Sequence, residues 1–178
     1  QTMTLITGIT FAIISIIYVV NRSRKEEDDG ITELFRSYSI GKLANTTALV
    51  IELIFLHLLM AILLAFSIQA QNVAGLNDLG SNLLFAFTTS AQGLLWGMFA
   101  LLLVQVFSDA STTKGVTFGL FGLLYIIRMG TDATNLSLGW FNPLSWVYLA
   151  FPYVKGHENW TSVILTFSLS LILLVISY

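Results

Sequence analysis

The sequence predicts an all-α, polytopic helical membrane protein with about five transmembrane helices, and three observations carry that prediction. Of 178 residues, 56% are hydrophobic and only 10% charged, with a mean hydropathy of +0.81. A soluble domain carries about 25% charge, so the solvent around this chain must largely be lipid. Apolar runs recur at roughly the length that crosses a hydrocarbon core about 30 Å thick. Finally, one stretch, 21–45, gathers five of the eight Lys and Arg residues and five of the ten acids.

Taken in order, 3–20 is an apolar run of 18 residues, near the lower limit for a span. No basic region or small-residue cleavage site precedes it, so it does not read as a signal peptide, and the chain is expected to begin inside a larger protein. The polar stretch 21–45 follows. Within it Ile31, Leu34, Phe35 and Tyr38 recur at i, i+3, i+4 and i+7, which places four apolar side chains on one face of a short helix. Asp28 and Asp29 stand where they can cap its free N–H groups, and Gly41 stops it. A solvated connection between spans needs no apolar stripe, so this helix is expected to lie against the lipid surface or a partner protein.

A second span covers 46–68, after the cap-like Asn45. The loop 69–82 holds Gly75, Asp78 and Gly80 and no basic residue. The third span covers 83–107, and the polar turn 108–114 leads to a shorter fourth span, 115–129, whose apolar part ends at Arg128. Residues 130–160 are mixed. Trp140, Trp146, Tyr148, Tyr153 and Trp160 crowd this region as an interfacial aromatic belt would. Asn142-Pro143 and Phe151-Pro152 break the backbone twice between short apolar stretches, which favours re-entrant helices buried in protein. The last span is 161–178. Residues 1–178 thus read as one transmembrane domain.

Basic residues orient it. The connection 21–45 has five, 69–82 has none and 108–114 has Lys114, so the first and third connections are expected inside and 69–82 and 130–160 outside. Five spans with the N-terminus outside imply a missing preceding span, which would raise the count to six.

Few residues offer chemistry. Glu52 and His57 interrupt the second span, where an ionisable group costs at least a few kcal/mol unless paired or wetted. Glu52 can reach the interface, and a neutral His57 can donate to a neighbouring helix; the functional alternative is that they line a solute path. Five residues apart, they share a helical face poorly. Arg128 and Asp132, four apart, can bridge on a helix, and Arg128 can snorkel outward or lie in a polar cavity. Small residues, Ala86, Ser90, Gly93, Gly97 and Ala100 in the third span and Gly115, Gly119 and Gly122 in the fourth, allow close helix approach, within the chain or at a dimer seam.

Absences bound the function. There is no cysteine, so disulfides and thiolate chemistry are excluded. The two histidines, His57 and His157, fall on opposite sides, so no metal site is expected. No phosphate-binding loop or hydrolase motif occurs. The few basic residues form no nucleic-acid groove. An enzyme is not expected.

The polar stretch also carries a resemblance. Glu26-Glu27-Asp28-Asp29-Gly30, Glu33-Leu34 and Gly41-Lys42 look like a signature of ABC-2 type permeases, and in particular of the subgroup of polyketide antibiotic exporters. A second match is Arg128…Asp132, then Gly139-Trp140-Phe141-Asn142-Pro143-Leu144-Ser145-Trp146, Pro152 and Trp160, which is similar to the family's segment before its last span. Together they cover about the whole chain in order. Ile31 departs from the Arg expected after the glycine. The resemblance implies about one six-span half, lacking its first span, of a permease in the bacterial plasma membrane. It implies a cytoplasmic coupling helix (Glu26, Glu27, Gly30, Ile31, Glu33, Leu34, Phe35, Tyr38) docked on a separate ABC ATPase that holds ATP and Mg. It also implies an outer lid (Arg128, Asp132, Pro143, Trp146, Pro152) and a second permease half or homodimer partner. The solute would be an amphipathic drug, antibiotic or lipid-like molecule moved outward.

The alternative is a non-ABC integral membrane protein, a secondary-transporter fragment or a scaffold. A secondary transporter needs ion ligands near the midplane, for which only Glu52 and His57 qualify. A helix that lies on lipid needs a basic polar face, whereas this one carries acids.

Overall fold

The computed structural model describes residues 2–25, 44–73, 76–134 and 136–178, and every element within them is helical. The predicted coupling helix, with Glu26, Glu27, Gly30, Ile31, Glu33, Leu34, Phe35 and Tyr38, lies outside the described residues. Among the described residues four helices are long and apolar enough to cross a membrane. They are α1 (Thr2–Val20), α2 (Ala44–Ala70), α3 (Leu79–Val106) and α4 (Ala110–Thr134). A 3₁₀ turn (Leu136–Phe141) and the one-turn α5 (Trp146–Leu149) follow α4, and α6 (Trp160–Ile176) closes the described chain. At 17 residues α6 spans about 25 Å, short of a full crossing without tilt or thinning.

The third helix is the axis. Its mid-section is buried all round, and α1, α2 and α6 pack along it. The core is continuous: Ile16, Val19 and Val20 of α1 and Leu53 of α2 meet Met98, Leu101 and Trp96 of α3, with Leu144 closing the outer end. By contrast the outward faces of α2 and α6 are apolar and exposed, as in Ile51, Phe55, Phe66, Ile164 and Leu171. Exposed apolar faces around a buried core are what lipid solvation requires.

Glycine sets the closest approaches. A β-carbon at Gly97 would come 2.6 Å from Cδ2 of Leu53, and one at Gly93 would overlap the His57 ring, so α2 lies against α3 at a separation only hydrogen atoms allow. Gly115, Gly119 and Gly122 of α4 meet nothing within 4 Å among the described residues. Equal spacing in sequence therefore serves two different situations.

Two helices begin earlier than their apolar runs. Asp78 caps α3, accepting from the Ser81 N–H at 2.8 Å and from its hydroxyl at 2.6 Å, so the helix starts at Leu79 rather than 83. Asp109 likewise accepts the Thr112 N–H at 2.7 Å, and Thr113 and Thr117 turn their hydroxyls onto carbonyls four residues back. The polar 108–114 turn is thus largely helix, because threonines that bond their own backbone need no water.

Candidate functional site

Charged side chains meet where the C-terminal end of α1 lies beside the first turns of α2. A π-turn, Asn21–Lys25, continues α1 and brings Arg22 to Glu52, with Nε 3.9 Å from Oε2 and both side chains about half exposed (50% and 45%). Lys114 of α4 donates to Asn21 Oδ1 at 2.6 Å, which ties α4 to the same corner. Glu52 is thus paired at the surface of its helix.

His57 is placed differently, with a partner on each side. Its Nδ1 is 2.9 Å from the Leu53 carbonyl and its Nε2 is 2.9 Å from Ser15 Oγ on α1. The carbonyl can only accept, so Nδ1 donates to it, and Nε2 shares its contact with the serine hydroxyl. Ser15 Oγ also lies 2.8 Å from the Phe11 carbonyl. One hydroxyl proton serves either contact but not both. Glu52 and His57 therefore reach α1 or its extension separately, through Arg22 and Ser15.

At the other end, residues after α4 fold back into the bundle. Leu144, Val147, Leu149 and Ala150 are buried, and Val147 fits against Gly8 of α1. The Asn142-Pro143 break is built by Asn142, whose Oδ1 accepts from the Leu144 N–H at 3.0 Å while its Nδ2 donates to the Leu124 carbonyl of α4 at 2.8 Å. Trp146 donates its indole N–H to the Trp140 carbonyl at 2.9 Å. At the second break Phe151 takes φ +47°, a left-handed conformation costly for an aromatic residue. Arg128 does not snorkel: it is 4% exposed, with its guanidinium 5.5 Å from the centroid of the Tyr148 ring. Asp132 lies one turn further along α4; its side chain is outside the described set.

A clamp at the end of the bundle away from Arg22 was not legible in the sequence. Asn82, fully buried at the start of α3, donates to Gln69 Oε1 and to the Leu76 carbonyl, both at 2.8 Å, and accepts from the Tyr153 hydroxyl at 3.0 Å. Burial pushes the Tyr153 phenol up from its ordinary range. The Ser81 hydroxyl and N–H hold Asp78 below the usual carboxylate range, and the Thr112 N–H does the same for Asp109. Also overlooked was Gln92, an amide at the centre of α3 that is 1% exposed. The polar cluster Thr88-Thr89-Ser90 and Gln92 in the middle of a predicted span was the available signal.

Among the described residues no group of three or more metal-ligating side chains occurs. What the arrangement can do is mechanical: paired or capped polar groups fix helices against one another and present apolar faces outward.

A buried axial helix, lipid-facing apolar surfaces and spans of membrane length define a multi-pass helical membrane protein. Among known proteins, the chain is 26% identical over 167 residues to a multidrug efflux system permease protein of Mycobacterium tuberculosis. The alignment covers 94% of this chain and 29% of that protein, so the chain spans under a third of the length of the relative it matches. No family model matches it.

Proposed function

We propose that the chain is part of the membrane-spanning permease of a bacterial ATP-driven exporter that moves an amphipathic drug, antibiotic or lipid-like solute out across the plasma membrane. The observation that supports this most is the alignment with an efflux permease over 94% of the chain. The motif order from Glu26 to Trp160 adds the ABC-2 type assignment. ATP and Mg would bind a separate ATPase, since this chain carries no phosphate-binding loop. A second permease half, or a second copy, would complete the path.

In this reading 21–45 holds the coupling helix, whose stripe of Ile31, Leu34, Phe35 and Tyr38 enters a groove on the ATPase, with Glu33 facing a basic residue there. The segment 130–160 forms the outer lid, anchored through Arg128, Pro143, Trp146 and Pro152 and bearing Asp132. Glu52 and His57, held by Arg22 and Ser15, act as joints between α1 and α2.

The test is co-purification of the ATPase with the full-length permease, with transport-linked hydrolysis measured alongside. Replacing Leu34 and Phe35 with Ala removes two side chains that docking would bury, at about 1.5–3 kcal/mol each, so association should weaken by on the order of 3–5 kcal/mol. Glu33→Lys should damage coupling more than Glu33→Gln. Normal binding and normal stimulated hydrolysis in the Leu34/Phe35 double variant would remove the coupling-helix reading.

A further inference from the structure

Three buried polar side chains on the axial helix, Ser90, Gln92 and Trp96, find no hydrogen-bond partner among the described residues, and the last two are the large ones. Gln92, 1% exposed, has no hydrogen-bond partner at either Oε1 or Nε2 among the described residues, and the indole N–H of Trp96, 3% exposed, has none either. They stand four apart on α3 and so share one face, one turn apart. The other buried amides, Asn82 and Asn142, show the opposite habit and bond to backbone or side chain. A buried polar group without a partner costs free energy that nearby lipid and apolar side chains cannot return. Such groups are kept where something else uses them.

The surroundings show what would fit. Trp96 meets Phe121 of α4 edge-on, with ring centroids 4.7 Å apart, and Phe99 at 5.3 Å. Phe121 belongs to α4, the long helix with the smallest buried share, 17% against 78% for α3. The aromatic cluster therefore sits at a lightly packed seam between α4 and α3, while the Gln92 β-carbon, one turn away, lies beside Gly8 of α1. No ionisable residue occurs in α3, so the face is neutral. An amide that both donates and accepts, an indole N–H and ring edges are complementary to a flat aromatic solute bearing hydrogen-bonding groups.

We infer that the Gln92–Trp96 face of α3 is a binding surface for an aromatic, hydrogen-bonding solute, reached when α4 parts from α3. This rests on the export reading and names the solute class it selects. Gln92 supplies the hydrogen bonds, and Trp96 with Phe121 supplies the ring contact. In the closed arrangement described here, the amide is held in reserve at a cost in stability.

Two probes of equal charge separate the contributions: ethidium, which has ring amino groups, and tetraphenylphosphonium, which has no hydrogen-bonding group. Full-length permease in liposomes with its ATPase is assayed for binding and efflux of each. Gln92→Leu and the near-isosteric Gln92→Met should weaken ethidium binding by about 3- to 10-fold, the worth of one neutral hydrogen bond, and leave tetraphenylphosphonium within about two-fold. Both variants should raise the thermal midpoint of the solute-free protein, because an unpartnered amide leaves an apolar site. A lowered midpoint would mean that the amide holds the fold together, and would overturn the proposal. So would equal changes for the two probes, or none, while wild-type efflux persists. Absence of ATP-dependent efflux of either probe by the wild type would instead count against the export reading itself.

Discussion

Gly93 of α3 lies directly beneath the imidazole of His57 on α2, so that a β-carbon added at Gly93 would occupy the space of Nε2. The same nitrogen faces Ser15 of α1. Three helices therefore meet at one point, and the missing side chain of the glycine is what admits the ring.

Gly93→Ala should force His57 from its place and break the Ser15 contact, destabilising the bundle by about 1–3 kcal/mol, as overpacking does. Gly119→Ala, with open space at the β-carbon, should instead be neutral or slightly stabilising. In a double-mutant cycle, adding His57→Ala to Gly93→Ala should restore part of the loss. Equal effects at 93 and 119, in thermal or denaturant unfolding in detergent, would show that the close approach is not formed.

The Asn82 clamp predicts a graded series. Tyr153→Phe removes one hydrogen bond and should cost about 0.5–1.5 kcal/mol, whereas Asn82→Ala strands several buried groups and should cost about 2–4 kcal/mol. Amide exchange in 69–78 should accelerate in both. Unchanged exchange in Asn82→Ala would refute the network.

Acid should loosen the cap of α3. The folded pKa of Asp78 is depressed by Ser81, so its contribution is fully present above the unfolded value of about 3.9 and is lost as pH falls through the lower folded value. Asp78→Asn should therefore flatten the loss of stability below about pH 4. An unaltered acid profile in this variant would remove Asp78 from the account.

Topology is open to direct labelling because the chain has no cysteine. Single cysteines at Asp78 and Lys155 should react with an impermeant thiol reagent on intact cells, and one at Arg36 should not. Labelling at 36 alone would invert the orientation.

Much of the architecture was legible because lipid imposes a simple rule: long apolar runs become helices, and Asn-Pro or Phe-Pro interruptions end them. Helix starts were less so. Asp78 and Asp109 extend their helices through caps that hydropathy ignores. The pairings that fix the bundle, Ser15 with His57 and Asn82 with Tyr153, join residues far apart in sequence, and no periodicity reports them. Nor does spacing reveal which small-residue face is occupied: Gly93 and Gly97 face α2, while Gly115 and Gly119 face nothing within 4 Å. That difference is decided by what lies across the helix.

The Asn82 knot has a kinematic consequence. One side chain joins Gln69 at the end of α2, Leu76, the head of α3 and Tyr153 on the approach to α6, so these points share a fixed junction. Any rocking of α2 against α3 must then pivot there, and the travel of each helix grows with distance from the knot. The largest excursions fall at the opposite ends, where Arg22, Glu52 and Asn21 form half-exposed contacts that break and reform at little cost. The described helices are thus tied at the Asn82 end and joined only by half-exposed contacts at the Arg22 end, which is where a lever working on them would find least resistance.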